Sequence, residues 1–274
     1  MTLLVAWTGV DTHGPASVYL ASDSLISWGS ETSFDFGRKV FSFKNHPDIL
    51  GYCGDVLFPS IAINQIVEMA DNGLLFKEFD SCKDKFNSIV NKLNQIFDKY
   101  PHMHEQITND TLSIIHASRE TRDNKRFFCH QITWNRDKGW SGEEVQYPSE
   151  SNVLFAIGSG ASEFNENYMR YQNSGNKNTS RNVFHCFCDT LINIKDPYCG
   201  GAPQIVGIYR KPDSPSKAFG DVLDGKRYFL GVQVDNLQNF NTIEWRNINF
   251  ELCDGTTLKK FVQSQPQPDL LRRL

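Results

Sequence analysis

The strongest constraint on the fold is a repeated change of hydrophobic period along the chain. Apolar residues at helical spacing form two pairs of segments, and runs of short apolar segments typical of strands precede, separate and follow these pairs. The clearest helix is predicted over 86–100, where apolar residues recur every three or four positions and Asp80 or Ser81 can cap the start. The order of elements is therefore strands, two helices, strands, two helices, strands.

The other elements follow from shorter patterns. Strands are predicted at 2–8, 17–22, 39–43, 49–53, 111–117, 126–134, 152–157, 204–210, 227–234 and 241–252. Further helices are predicted after Pro59, around 164–171, and over 183–194 with Thr179 or Ser180 as the cap. This order predicts an α/β (α+β) fold, a four-layer αββα sandwich of two antiparallel sheets, each covered by a helix pair. We expect a single domain over 1–252 and a C-terminal tail over 253–274.

Composition excludes several classes of function. The 274 residues carry a net charge of −4 without a long Lys/Arg block, so nucleic acid is not a predicted partner. No apolar run approaches the ~20 residues needed to span a bilayer, so a membrane is not predicted either. The seven cysteines are odd in number and no signal-peptide pattern precedes them, which predicts reduced thiols in the cytoplasm.

One short motif invites a metal interpretation. The run His185-Cys186-Phe187-Cys188 falls inside a predicted helix, where residues two apart point away from each other. Core packing therefore explains it better than metal binding. Neither a metal nor a cofactor is predicted.

The start of the chain suggests catalysis. Removal of Met1 would leave Thr2 with a free α-amine, whose reference pKa is about 7.7–8.0. Such an amine can act as the base for the hydroxyl of the same residue. A strand directly behind Thr2 would hold both groups in place. On its own, however, a Met-Thr start is common and carries little weight.

Five further motifs stand in a recognisable order: LASDSLISWG (20–29), GRKVF (37–41), GYCGD (51–55), IGSGAS (157–162) and KDPYCGGA (195–202). Together with Thr2 they resemble the catalytic β-subunits of proteasomes and the related bacterial proteasome-like peptidases. These proteins belong to the N-terminal-nucleophile (Ntn) hydrolase superfamily. The resemblance covers about residues 2–210, and it implies the Ntn-hydrolase fold.

The resemblance implies a role for each matched residue. Thr2 matches the nucleophile, Lys39 the lysine that lowers the pKa of the amine, and Asp23 the acid that holds this lysine. Gly51 matches the oxyanion-hole glycine, and the pair Ser159 and Asp196 matches the groups that position the amine. Taken singly, Asp23 also suits the polar end of a hairpin, Lys39 an edge strand, and Gly51 and Gly158 ordinary turns.

The substrate side is implied in the same way. Ser27 matches a position whose backbone pairs with an extended substrate, and Gly37, Ile49 and Cys53 match the lining of a specificity pocket. Cys199 departs from the pattern, because the family usually has serine there. A thiol donates hydrogen bonds weakly, so the proton relay is expected to be slower, and Cys199 as a nucleophile stays an alternative.

These features predict a threonine-type peptidase that acts on a peptide or protein and forms a homo-oligomer, with a ring implied by the resemblance. No GxxxxGK loop is present, so an ATPase regulator would be a separate chain. Two alternatives remain: an Ntn amidase for a small amide or conjugate, and a non-catalytic structural subunit. Retention of Met1 would favour the structural subunit.

Overall fold

The computed structural model describes residues 2–28, 32–101, 111–121, 123, 126–235 and 239–262. The helices are α1 (Leu57–Asp71), α2 (Cys82–Phe97), α3 (Ala161–Tyr171) and α4 (Ser180–Asn193). The strands are β1 (Leu4–Asp11), β2 (Gly14–Ser22), β3 (Ile26–Trp28), β4 (Thr32–Phe34), β5 (Val40–Ser42), β6 (Asp48–Gly54), β7 (Thr111–Arg119), β8 (Phe127–Asn135), β9 (Gly139–Glu144), β10 (Asn152–Ile157), β11 (Gln204–Tyr209), β12 (Lys217–Leu223), β13 (Lys226–Phe229), β14 (Val232–Gln233), β15 (Trp245–Asn247) and β16 (Leu252–Cys253). The helices stand in two pairs between runs of strands, as the sequence predicts.

Side-chain caps fix the starts of two helices. The Ser81 hydroxyl accepts from the Asp84 amide at 3.2 Å, and the Asp84 carboxylate accepts from the Ser81 amide, which completes a capping box at α2. At α4 the Thr179 hydroxyl accepts from the Asn182 amide at 3.1 Å. Ser81 and Thr179 are therefore the caps, rather than Asp80 and Ser180.

The strands form two large sheets. A nine-stranded sheet follows the order β10-β1-β2-β11-β12-β13-β14, with β15 paired to β12 and to β16. A five-stranded sheet follows the order β5-β6-β7-β8-β9, and β3 and β4 form a separate two-stranded ribbon. The pairs within the five-stranded sheet are all antiparallel, whereas β15 runs parallel to β12. The expectation of purely antiparallel sheets is thus wrong at this one pair.

Three apolar clusters separate four layers. The first joins the five-stranded sheet to α1 and α2, the second joins the nine-stranded sheet to α3 and α4, and the third lies between the sheets. Burial of each inner face removes apolar area from water and holds the layers together. The architecture is the predicted αββα sandwich.

The structure differs from the sequence prediction at several strands. β3, β4, β9 and β12 are not among the predicted strands, and the predicted strand 227–234 is divided into β13 and β14. β4 and β9 are exposed along most of their length and lack an apolar alternation that would reveal them. The predicted strand 241–252 is broken between β15 and β16, because the Asn247 side chain accepts from the amides of Asn249 and Glu251 and closes a turn. Residues 253–262 are ordered against the domain rather than forming a plain tail. Cys253 lies in β16, and its backbone forms an isolated antiparallel β-bridge with Lys260. Residues 263–274 lie outside the described part of the chain.

Two smaller expectations can also be compared. Within the described residues, the helices are too short or too polar to cross a membrane. Cys186 and Cys188 are buried in the cluster between α4 and the nine-stranded sheet, as the core-packing interpretation predicts.

Candidate active site

Thr2 is held directly in front of β1, the strand that lies between β10 and β2 in the nine-stranded sheet. Its side chain is almost fully buried, with 1% of the residue exposed. The amide of Gly160 donates to the Thr2 carbonyl at 3.3 Å, which ties the residue to the start of α3. The residue that sequence analysis selects as the nucleophile therefore has a fixed position.

Lys39 lies at the centre of the predicted catalytic group. Its Nζ donates to Thr2 Oγ1 at 3.1 Å and to Asp23 Oδ1 at 2.8 Å. Lys39 and Asp23 are both completely buried. The three residues come from separate segments, and the fold brings them into one hydrogen-bonded chain.

The Asp23 carboxylate collects several donors besides Lys39. Oδ1 accepts from the Leu3 amide at 3.1 Å, and Oδ2 accepts from the Gly200 amide at 3.2 Å. Burial raises the pKa of Asp23, whereas the Lys39 ammonium and these two amides oppose the rise. Asp23 thus anchors Lys39 and also fixes the backbone next to Thr2.

Gln204 is a site residue that sequence analysis missed. This fully buried side chain accepts from the Lys39 amide at 3.0 Å and donates to the carbonyls of Asp23 at 3.0 Å and Gly37 at 2.6 Å. It therefore joins three segments of the site at the start of β11. No local signal in the sequence distinguishes it from an exposed glutamine.

A second polar chain lies on the amine side of Thr2. The Thr2 nitrogen donates to Ser159 Oγ at 3.3 Å, Ser159 Oγ and Cys199 Sγ are 3.5 Å apart, and Cys199 Sγ donates to Asp196 Oδ2 at 3.4 Å. Hydrogen bonds from Ser159, the Tyr198 amide and Cys199 lower the pKa of Asp196 against the opposing effect of partial burial. The four predicted residues of this relay are close together.

Cys199 itself is poorly suited to nucleophilic attack. Burial raises the pKa of its thiol to about 12, and only 5% of the residue is exposed. Since the thiolate is the reactive form, the thiol is almost entirely unreactive at neutral pH. These properties favour Thr2 over Cys199.

Of the two glycines considered for the site, Gly158 lies against Thr2, whereas Gly51 lies within β6. Gly158 has φ of +99°, and a Cβ there would lie 2.1 Å from the Thr2 carbonyl oxygen, so only glycine fits. Gly51 lies in β6 opposite Val40 and Ile115. Because the next amide, that of Tyr52, donates to the Lys39 carbonyl, alternation along the ladder turns the Gly51 amide toward β7. The oxyanion-hole role of Gly51 stays a prediction.

The predicted substrate-binding residues are arranged unevenly. Ser27 lies on the ribbon strand β3, opposite Ser33. A Cβ at Gly37 would lie 2.3 Å from Ile26 Cδ1, so the Ile26 side chain occupies the space next to Gly37. Ile49 and Cys53 are buried at 0% and 6% exposure in the cluster between the sheets. These contacts leave little open space where the specificity pocket is expected.

No protein-family model matches the chain, and no curated protein matches its sequence. Solved structures do match it. Anbu (ancestral beta-subunit) from Yersinia bercovieri has a TM-score of 0.53 at 9% identity, over 79% of this chain and 86% of that chain. Anbu from Pseudomonas aeruginosa, solved as a helical assembly, has a TM-score of 0.54 at 11% identity, over 85% of this chain and 87% of that chain. A Gly-1 mutant of Anbu from Hyphomicrobium sp. strain MC1 has a TM-score of 0.52 at 10% identity, over 80% of this chain and 87% of that chain.

The chain has the proteasome-like Ntn-hydrolase fold. Identities of 9–11% show this fold and leave the reaction open. In this chain Thr2, Lys39 and Asp23 meet directly in front of the first strand of that fold.

Proposed function

We propose that this chain is a threonine-type peptidase in which removal of Met1 frees the α-amine of Thr2. One observation carries the proposal: Lys39 Nζ lies within hydrogen-bond distance of both Thr2 Oγ1 and Asp23 Oδ1, and all three residues are at most 1% exposed. An ammonium in this position can stabilise the negative charge that develops on Thr2 Oγ1 when the hydroxyl loses its proton. The buried ammonium has three donors, and one of its three acceptors is the Thr2 hydroxyl.

In the first step, the Thr2 amine accepts the hydroxyl proton while Oγ1 bonds to the carbonyl carbon of the substrate. The Lys39 ammonium stabilises the developing charge on Oγ1 and keeps the amine neutral by repulsion. The tetrahedral intermediate then loses the amine half of the substrate, which takes the proton as it leaves. The product is an ester between Thr2 and the acyl half.

In the second step, water gives a proton to the same amine and attacks the ester carbon, which releases the acid and restores the hydroxyl. Ser159, Cys199 and Asp196 position the amine and its proton in this scheme, which their contacts support. The scheme needs an oxyanion donor as well. The family resemblance offers the Gly51 amide, but the ladder turns this amide toward β7, so the scheme leaves the donor unassigned.

A second candidate is an amidase for a small amide or conjugate, with the same chemistry. The observation that favours it is the Ile26 side chain next to Gly37, which restricts the predicted specificity pocket. A peptide of four to six residues and a short acyl amide, offered at equal concentration, distinguish the two. The peptidase proposal expects faster cleavage of the peptide.

The proposal includes assembly and location. Because Anbu from Pseudomonas aeruginosa forms a helical assembly and shares the fold, we propose that this chain forms a homo-oligomer. All seven cysteines are free and buried, which supports a reducing compartment such as the cytoplasm. A peptide or protein substrate and a separate ATPase or other regulator belong to the same proposal.

Intact mass spectrometry tests the mechanism. The purified protein is weighed before and after exposure to a peptide epoxyketone, a probe that needs both the hydroxyl and the free amine of an N-terminal threonine. We expect the mass to show loss of Met1 and then gain of one probe. Thr2→Ala should gain none.

Two lysine variants complete the test. Lys39→Met should lose the adduct, whereas Lys99→Met, which removes an exposed charge at the far end of α2, should react like the unmodified protein. Retention of Met1 with no adduct would overturn the threonine mechanism. The structural subunit would then be the better interpretation.

A further inference from the structure

A surface cleft of about 730 Å³ lies away from the candidate active site. The turn 44–47 between β5 and β6 forms one side, and the segment 73–78 between α1 and α2 forms another. The end of β7 and the loop 213–215 close it. Ligand pockets are typically about 300–1,000 Å³, so the cleft is large enough for a small molecule.

Arg119 is the buried cation of this cleft. Only 1% of the residue is exposed, although the residue lines the cleft. Its guanidinium donates to the carbonyls of Tyr209, Lys211 and Ser214, of which the last is 2.9 Å away. Its Nε has no hydrogen-bond partner among the described residues.

Among the described residues, no carboxylate contacts Arg119 directly, although Asp213 and Asp48 act on its charge from a greater distance. Within the described part of the chain, no carboxylate oxygen lies within 4.0 Å of its guanidinium nitrogens. Burial lowers the pKa of Arg119, and the more distant carboxylates of Asp213 and Asp48 oppose this shift only in part. Buried charges in proteins are normally paired, so an unpaired one facing a cleft indicates a place for an anion.

The rim of the cleft adds further positive charge. Lys44 and Lys77 are exposed there, and Glu78 and Asp213 oppose them. Lys85 also lines the cleft, but its charge is balanced by Asp48 at 3.0 Å. The whole chain carries a net charge of −4, so this grouping of cations is not a consequence of the overall composition.

One wall of the cleft is aromatic. Phe76 is 8% exposed, stacks on Phe43 with ring centroids 6.1 Å apart, and lies edge-on to His46 at 5.0 Å. A rigid apolar wall beside convergent cations is the usual composition of a site for a small charged ligand.

We propose that this cleft binds a small anion bearing phosphate or carboxylate groups, with Arg119 as the buried anchor and Lys44 and Lys77 at the rim. The guanidinium fork matches the oxygen geometry of both groups. The ligand would satisfy Nε, and the contacts of Arg119 to the carbonyls of 209–214 would hold the loop in place around it.

Isothermal titration calorimetry with pyrophosphate at low ionic strength tests the proposal. We expect saturable binding at one site, at least about tenfold weaker in the double variant Lys44→Ala/Lys77→Ala. Lys99→Ala removes an exposed charge outside the cleft and should change the Kd by less than about twofold. Titrations with orthophosphate and with malonate distinguish a phosphate ligand from a carboxylate ligand.

Hydrogen exchange gives a second readout. It is measured on the unmodified protein, so it does not require that any variant folds. Pyrophosphate should slow exchange in peptides covering 44–47 and 211–215 and leave those covering 152–162 unchanged. Arg119→Lys keeps the charge but loses the fork, and should bind at least about tenfold more weakly. The proposal fails if titration is not saturable, or if Lys99→Ala weakens binding as much as the double variant.

Discussion

Replacement of Lys39 by methionine tests the buried ion pair directly. Methionine has nearly the length of lysine and removes only the ammonium. The variant loses three contacts of Nζ, to Asp23 Oδ1 at 2.8 Å, to the Leu25 carbonyl at 2.6 Å and to Thr2 Oγ1 at 3.1 Å. It leaves the carboxylate of Asp23 fully buried without a counter-charge.

The size of the effect follows from what remains around that carboxylate. Breaking one partner of a buried pair typically costs about 3–5 kcal/mol. Asp23 keeps the amides of Leu3 and Gly200, which favours the lower end of that range. We therefore expect a loss of about 3 kcal/mol in the free energy of unfolding, or about 6–12 °C in Tm for a domain of this size.

Urea unfolding followed by tryptophan fluorescence measures this loss, and Trp7 is a fully buried reporter on β1. The double variant Asp23→Asn/Lys39→Met should lose less than the sum of the two single variants, by at least about 1 kcal/mol. Lys99→Met should stay within about 0.5 kcal/mol of the unmodified protein. A loss below about 1 kcal/mol for Lys39→Met, or strict additivity in the double variant, would show that the Lys39–Asp23 ion pair does not stabilise the fold.

Three further predictions concern two residues around the candidate active site and one residue in the five-stranded sheet. Gly158→Ala places a Cβ against the Thr2 carbonyl at positive φ, so we expect it to cost about 2–3 kcal/mol in urea unfolding and to abolish the epoxyketone adduct. Cys199→Ser supplies a stronger donor toward Asp196, so the adduct should form up to about tenfold faster, measured by timed mass spectrometry at pH 7. Burial lowers the pKa of His130 to about 4, so its neutral form stabilises the fold fully above pH 6.5 and this contribution is lost as the pH falls toward 4. His130→Gln should therefore show a smaller fall in Tm between pH 7 and pH 4.5.

Each of these predictions has a control. Gly175→Ala places its Cβ in open space and should leave stability and the adduct unchanged. Cys253→Ser replaces a buried thiol outside the relay, and it should not accelerate the adduct. An equal fall in Tm for His130→Gln and the unmodified protein would show that another group causes the acid sensitivity.

The layers of the fold are predictable from the sequence alone. Helical and strand periodicities are local, and they report which face of each segment is apolar. The αββα order was therefore predictable, and each of the caps at Ser81 and Thr179 was predictable to within one residue. The exposed strands β4 and β9 were not, because a polar edge strand has no apolar alternation. The break between β15 and β16 depends on a side-chain turn at Asn247 that the period does not encode.

The candidate active site likewise combines residues that sequence motifs reveal with residues whose role depends on contacts between distant segments. Family motifs in the sequence select Thr2, Asp23 and Lys39, whereas the contacts of the Lys39 ammonium with the other two residues depend on how distant segments pack. Gln204 and Arg119 carried no local signal, since their partners are as much as 181 and 95 residues away along the chain. Burial of a polar side chain is a property of the assembled layers, because it depends on which distant segments supply its hydrogen bonds.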